Sequence, residues 1–268
     1  MINFVTSMNE ALFHEYGKRA MDEFDSCSGD KIKLIVMYEG ELPTNLPKYQ
    51  RIVFKRLAGN SRNEFLKRFS GLKEANGLRI IFETDPAGNS IAKLAWDFRY
   101  NAIRFSHKIF SIAESIQYIN DGSYLVWIDA DIRVLQNFNE DDLRQFLPEE
   151  SEVMAYLGRS EFPKPNPYSE GGWYAFNINH PSFHSFINKL TDYYITGELF
   201  TLKEWHDCWV VDTVRAMFEE QGYQFKNISG PAQQLEHPFI NCGLGKIFDH
   251  LKGPARKING RSFEKDYQ

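Results

Sequence analysis

The chain has 268 residues, 43% hydrophobic and 15% aromatic, enough for one large domain with a substantial core. A formal net charge of −5 at pH 7 gives no general attraction to nucleic acid, and Cys27, Cys208 and Cys242 lie far apart without zinc-knuckle spacing, which argues against a disulfide framework and for a reducing compartment. No apolar run approaches the roughly 20 residues of a membrane span, and the first residues are too few and too uncharged for a signal peptide, so a soluble, cytoplasmic protein is expected.

Ile2 to Thr6 reads as a strand, and Ser7 to Glu10 has the Ser-x-x-Glu spacing of a capping box. The helix it opens carries Leu12, Phe13, Tyr16, Ala20 and Phe24 on one face. Lys31 to Tyr38 is nearly continuously apolar, as expected of a strand covered on both sides, so the opening is a right-handed βαβ unit. Between Gly40 and Trp96 only a short strand at Arg51 to Phe54 and a helix near Asn63 to Phe69 stand out. Tyr100 to Ile119 predicts a helix with Ile109, Ile112, Ala113 and Ile116 at helical spacing, and Asn120-Asp121-Gly122 a turn. A strand then runs from Tyr124 to Ile128, followed by strands at Val153 to Leu157 and Trp173 to Phe176, with a Pro-rich rim at 162–167 between them. Thr201 to Glu204 repeats the capping-box spacing before a helix bearing Trp205, Trp209, Val214 and Phe218. The glycine-rich last thirty residues read as an irregular tail.

The chemistry concentrates where the apolar strand ends in Asp129-Ala130-Asp131. Residues i and i+2 of a strand share a face, so two carboxylates would lie side by side at its carboxyl end, the edge where open α/β sheets bind ligands. Such a pair suits a hard divalent cation, Mn²⁺ or Mg²⁺, that shares its remaining positions with phosphate oxygens. The triplet alone is common, and an acidic turn after a buried strand is the plain alternative. What strengthens the metal reading is the far end of the chain. There His250 offers an imidazole, Gly253 permits close backbone approach, and Lys252 to Arg261 carries four basic residues and no acidic one. A metal held with a diphosphate would stabilise the charge on a departing nucleotide, as sugar transfer requires. Asp207 sits at a helix start on one face with Val211, Val214 and Phe218, which suits either a helix-stabilising acid or a group that binds or deprotonates an acceptor hydroxyl. His206 beside it reads more simply as a solvent-facing histidine. Among Tyr168, Trp173, Tyr174, Trp205 and Trp209, Tyr168 and Trp205 are the favoured sugar-stacking aromatics.

The stretch Arg104-Phe105-Ser106-His107-Lys108, followed by Val126-Trp127-Ile128-Asp129-Ala130-Asp131, resembles the approach to the DxD motif of GT-A-fold glycosyltransferases, and of glycosyltransferase family 8 in particular. His250-Leu251-Lys252-Gly253 keeps the His and Gly spacing of that family's closing signature, though no Lys-Pro-Trp follows and Arg256 stands at the Lys position. Gly171 to Asn177 and Asp207 to Asp212 resemble further family segments less closely. The resemblance implies a single GT-A-like, Rossmann-like α/β domain over 1–268, with a mostly parallel central sheet flanked by helices. Its halves would be 1–137 for the nucleotide sugar and 138–240 for the acceptor, with 241–268 closing over the donor. It implies Asp129, Asp131 and His250 as metal ligands, Thr6, Asn9, Arg104, Lys108, Ala130, Gly253 and Lys257 as donor contacts, and Asp207 as the catalytic residue. A UDP-sugar donor and a saccharide or other hydroxyl acceptor follow as partners. The family implies retention of anomeric configuration, whereas a well-placed Asp207 would suit inversion. A haloacid-dehalogenase phosphatase also uses Asp-x-Asp after a strand, but Arg133 stands where that motif has Thr or Val. A non-catalytic nucleotide-sugar or carbohydrate-binding protein is the other class the same residues allow.

Overall fold

The computed structural model describes residues 1–86, 88–119, 122–159 and 168–262. Asn120 and Asp121 of the predicted turn and the Pro-rich segment 162–167 lie outside the described residues. In chain order, β1 (Ile2–Met8) leads through α1 (Glu10–Leu12), a π-helical turn (Phe13–Gly17) and α2 (Lys18–Cys27) to β2 (Ile32–Tyr38). Next come β3 (Ile52–Arg56), α3 (Asn60–Phe69), the hairpin β4 (Leu78–Thr84) and β5 (Ser90–Trp96), and α4 (Ala102–Ser115). The second half runs β6 (Tyr124–Ile128), β7 (Ile132–Val134), α5 (Glu140–Leu143), β8 (Glu152–Leu157), β9 (Glu170–Asn177), α6 (Phe183–Thr196) and α7 (Asp207–Glu220). It closes with β10 (Gln224–Asn227), α8 (Pro238–Asn241), β11 (Phe248–His250) and α9 (Pro254–Asn259).

Seven strands form the central sheet in the order β10-β8-β9-β6-β1-β2-β3. Every pairing is parallel except the two made by β9, which runs antiparallel to both β6 and β8. The sheet is therefore mostly parallel, as expected, and its alternating side chains feed two separate cores. Phe4, Leu34, Val36, Val126, Ile128 and Trp173 pack on one face with α2 and the β11 region. Val5, Ile35, Met37, Leu125, Trp127 and Tyr174 pack on the other with α3, α4, α6 and α7. No helix among the described residues is long and apolar enough to cross a membrane.

Four local expectations are corrected. The strand β1 continues through Ser7 to Met8, and Asn9 caps the helix by accepting from Leu12 N at 2.9 Å, so the Ser7 capping box does not form. Pairing with β2 as far as Tyr38 holds Ser7 extended, and backbone ladder bonds outweigh a local cap there. Likewise Thr201 ends a 3₁₀ turn, and the following helix starts six residues later with His206 as its cap. The tail as far as residue 262 is not irregular: β11 and α9 order it, because β11 pairs antiparallel with β7, His250 opposite Ile132. Finally, the hairpin of β4 and β5 occupies the part of 40–96 where no element stood out, and among the described residues it pairs with no other strand.

Candidate active site

Three connections bring the site together at the carboxyl end of β6. The strand stops at Ile128, and Asp129 and Asp131 occupy the turn into β7 rather than the strand itself. Antiparallel β9 delivers its first residues to the same edge, where Asp129 N donates to Gly172 O at 3.2 Å. The β7–β11 pairing carries His250 there, locked by Leu251 N donating to Asp131 O at 2.8 Å.

His250 Nε2 lies 3.4 Å from Asp129 Oδ2 and 3.2 Å from Asp131 Oδ1. Lys257, on α9, places Nζ 3.1 Å from Asp131 Oδ2 and 4.5 Å above the Tyr16 ring. Two carboxylate oxygens converging on one imidazole nitrogen, all within 4.8 Å, form a donor set suited to Mn²⁺ or a similar borderline-hard ion. In the ion's absence the cluster is neutralised by protonation of His250. Burial would lower the His250 pKa, but Asp131 and Asp129 outweigh it and raise it to about 9. Burial would likewise raise the Asp131 carboxyl, yet His250 and Lys257 hold it below the ordinary range.

The sign of the resulting pH dependence is fixed. A histidine raised from 6.5 to about 9 stabilises the metal-free fold fully below about pH 6.5, and that contribution fades as pH rises through about 9. A bound ion must displace the same proton. Apparent Mn²⁺ affinity is therefore expected to rise about tenfold per pH unit toward pH 9, with about one proton released per ion, measurable by calorimetry in buffers of different ionisation enthalpy. Affinity that is flat in pH would show that His250 is not a ligand.

Beside this cluster lies a second polar group. Lys108 reaches from α4 so that its buried ammonium meets Gly171 O at 2.6 Å, Asp129 Oδ1 at 2.9 Å and Asp207 Oδ2 at 2.7 Å. Those are three acceptors for three N–H donors. Asp129 also accepts from Trp127 Nε1 at 2.8 Å. Burial would raise the Asp129 carboxyl, but Lys108 and His250 hold it far below its usual range. Asp207 is buried at the start of α7 with Val211 and Val214, as its helical spacing predicts.

Two adjacent glycines make both approaches possible. A Cβ at Gly171 would stand 2.7 Å from Cys208 Sγ, 3.0 Å from Asp207 Oδ2 and 3.1 Å from Lys108 Nζ, and one at Gly172 would stand 2.9 Å from the His250 ring. The strand that floors the site must therefore be bare at both positions. Glu170, just before them, is buried between Arg159 and Lys252, with Oε1 3.9 Å from His250 Nδ1, and these cations hold its carboxyl well down although burial opposes them. His237, kept neutral by burial, contacts the His250 carbonyl through Nε2 at 3.1 Å.

The remaining predicted residues fall differently. Arg104 is exposed on α4, its charge reaching Tyr16 and Glu39, on the side of the cleft that Lys257 faces. Ala130 is buried between the two aspartates. Gly253 adopts a φ of 86° at the start of α9 with open space around its Cβ direction, which leaves the backbone accessible. Thr6 is fully buried inside β1, its Oγ1 without a hydrogen-bond partner among the described residues. The Asn9 carboxamide oxygen is taken by the helix cap. Thr6 is thus placed in the interior, and Asn9 is half-buried with its carboxamide nitrogen outside the cap bond.

Trp173 and Tyr174 are core residues, not sugar platforms. Trp205 is half-buried against Tyr100 and Phe200, and Tyr168 stacks edge-on against His206 with ring centroids 4.4 Å apart. His206 is buried, not solvent-facing: Nδ1 accepts from Trp209 N, and Nε2 lies 2.9 Å from Glu204 Oε2. His206, Asp207 and Cys208 also cluster closely enough to resemble a metal set. Both imidazole nitrogens are engaged, however, and burial with Asp207 pushes the Cys208 thiol well up, so it stays protonated and a poor ligand. The sequence leaves open whether Glu170, His206 or Asn177 serves the acceptor side, and it gives Tyr16, Trp127, Arg159 and His237 no part in the site. Only Trp127 had a readable signal, since it stands two residues before Asp129 at the end of the apolar run.

No protein-family model matches the chain, and no curated protein matches it in sequence. Solved structures that it resembles include the galactosyltransferase LgtC in complex with donor and acceptor sugar analogs. That match has 13% identity, covers 94% of this chain and 88% of that one, and has a TM-score of 0.49. A glycosyltransferase involved in glycosylation of the major capsid of PBCV-1 matches with 9% identity over 96% and 97% of the two chains at the same TM-score of 0.49. Mouse xyloside xylosyltransferase 1 matches with 11% identity over 85% of each chain at 0.44.

Proposed function

We propose that the chain is a metal-dependent glycosyltransferase that moves a sugar from a nucleoside-diphosphate sugar, a UDP-sugar in the first instance, to an acceptor hydroxyl. The observation that carries the reading is the convergence of Asp129, Asp131 and His250 at the sheet's carboxyl edge, with Lys257 on one flank and the Lys108–Asp207 pair on the other. A divalent ion held there supplies positive charge against the departing diphosphate. Lys257 and Gly253 bring a side-chain cation and an open backbone to the same oxygens, and Arg104 stands on that flank. Residues 1–137 serve the nucleotide sugar, 138–240 the acceptor, and 241–268 the closing wall. Lys108 is the neutralising link between the two parts, since it touches both Asp129 and Asp207. Asp207 then holds or deprotonates the acceptor hydroxyl, with Tyr168 and Trp205 nearby to meet its sugar ring.

The test is a panel of nucleotide sugars assayed by thermal shift with and without Mn²⁺. At a ligand concentration about 100 times Kd, binding to the native state adds about 2.7 kcal/mol of stability, and the upward shift should require both the ion and one particular nucleotide sugar. Asp207→Ala should retain that shift while losing at least about 100-fold in transfer rate. If turnover and donor binding both survive unchanged, Asp207 has no acceptor role. If no nucleotide sugar shifts the melt, the donor assignment fails.

A further inference from the structure

The hairpin of β4 and β5 carries a surface that the catalytic reading does not use. Its ladder pairs Leu78 with Trp96, Ile80 with Leu94, and Phe82 with Ala92, so six side chains of alternate positions share one face and none is charged. The opposite face is mixed, with Glu83 and Lys93 forming an ion pair at 3.3 Å. At its base, the hairpin is tied to the body by the Arg79 guanidinium, 4.0 Å from the Tyr100 ring and 5.2 Å from that of Trp205. Beyond that tether the apolar face stands in solvent: Ile80 is 68% exposed, Phe82 72%, Leu94 55% and Trp96 54%.

We infer that this face is a dimer interface and that its occupant is the same face of a second copy of the chain. A two-stranded ribbon is marginal in water unless its apolar side is covered. Among the described residues nothing in the chain covers it. The four side chains expose on the order of 500 Å² per copy, given about 150–250 Å² for a large aromatic. Two faces together bury about 1,000 Å², the size at which a specific interface begins. An uncharged apolar face, bordered at its base by Lys73 and Glu74, is complementary to itself under a two-fold axis, and two sheet faces stack about 10 Å apart. Its charge pattern disfavours a bilayer as the occupant. The turn end carries the polar residues Asp85 and Asn89, joined by hydrogen bonds, so insertion tip-first would bury them, and a net charge of −5 gives no attraction to anionic lipid.

Sedimentation velocity over a range of micromolar concentrations tests the inference on the full chain. The wild type is expected to associate reversibly to a dimer. Phe82→Arg and Leu94→Arg are each expected to weaken association by more than about 10-fold, with circular dichroism unchanged, while Glu83→Lys on the opposite face leaves it intact. Ala92→Cys provides a measurement that requires no loss of packing, since a bifunctional thiol reagent of about 10 Å reach, the spacing of stacked sheets, should link the two copies through it beyond any linking seen in the wild type. A wild type that stays monomeric overturns the inference, whether or not it binds phosphatidylcholine vesicles through Phe82. So does a dimer that neither arginine variant weakens and that Ala92→Cys does not cross-link.

Discussion

Lys108→Met is expected to destabilise the protein by about 3–5 kcal/mol, the usual cost of removing one partner from a buried ion pair. The ammonium of Lys108 sits among Asp129, Asp207 and the Gly171 carbonyl, and Asp207 is itself 1% exposed. Methionine keeps most of the apolar stem, so the loss reports the charge, including the ammonium's approach to the Trp127 and Tyr174 rings at 5.0 and 5.9 Å. What remains is the Asp207 carboxylate, desolvated and without its cation. The double variant Lys108→Met with Asp207→Asn removes both charges and should regain a large part of the loss. Chemical denaturation in chelator of the wild type, Lys108→Met, Asp207→Asn and the double variant measures the coupling directly. A single variant within about 1 kcal/mol of wild type, below the range for such pairs, would mean that water or another group already shields Asp207.

The features legible in the sequence were those written in contiguous residues. The apolar runs of β1, β2 and β6 announce covered strands, and Asp129 and Asp131 announce an acidic pair at the end of one. His250 was legible only as a residue type near a basic cluster. Its position depends on β11 pairing with β7 across more than a hundred residues of chain, and no local pattern encodes that register. Glu170 and the two glycines after it precede the strand that the sequence shows at Trp173, and their importance comes from β9 starting at Glu170 and running antiparallel beside β6, a choice of topology rather than of residues. His206 was misread because the rings that bury it, Phe98, Phe105 and Tyr168, belong to other segments. The hairpin is a different case. Leu78, Ile80 and Phe82 stand at alternate positions, but Ile81 between them is apolar too, and a period-2 run normally signals a face against the protein core, whereas this one faces away from it.

Asp131→Ala is expected to lower Mn²⁺ affinity by at least about 100-fold, since even changes one shell outside a metal ligand cost 10–100-fold. Asp131 is the informative choice because Asp129 has a second role. Asp129 also neutralises Lys108 and accepts from Trp127, so its removal would mix loss of the ion with loss of structure. Among the described residues, the Asp131 side chain pairs with the metal cluster's own members, His250 and Lys257. Its loss removes the largest support for the charged imidazole, so the His250 pKa should fall from about 9 toward its ordinary value. Two readouts then move together: calorimetric Mn²⁺ binding weakens, and the imidazole titrates at lower pH in the metal-free protein. A variant with weakened ion binding but an unmoved imidazole would place Asp131 at a metal without His250. A moved imidazole with unaltered ion binding would mean that the acidic pair and histidine form an internal salt bridge and that the ion binds elsewhere.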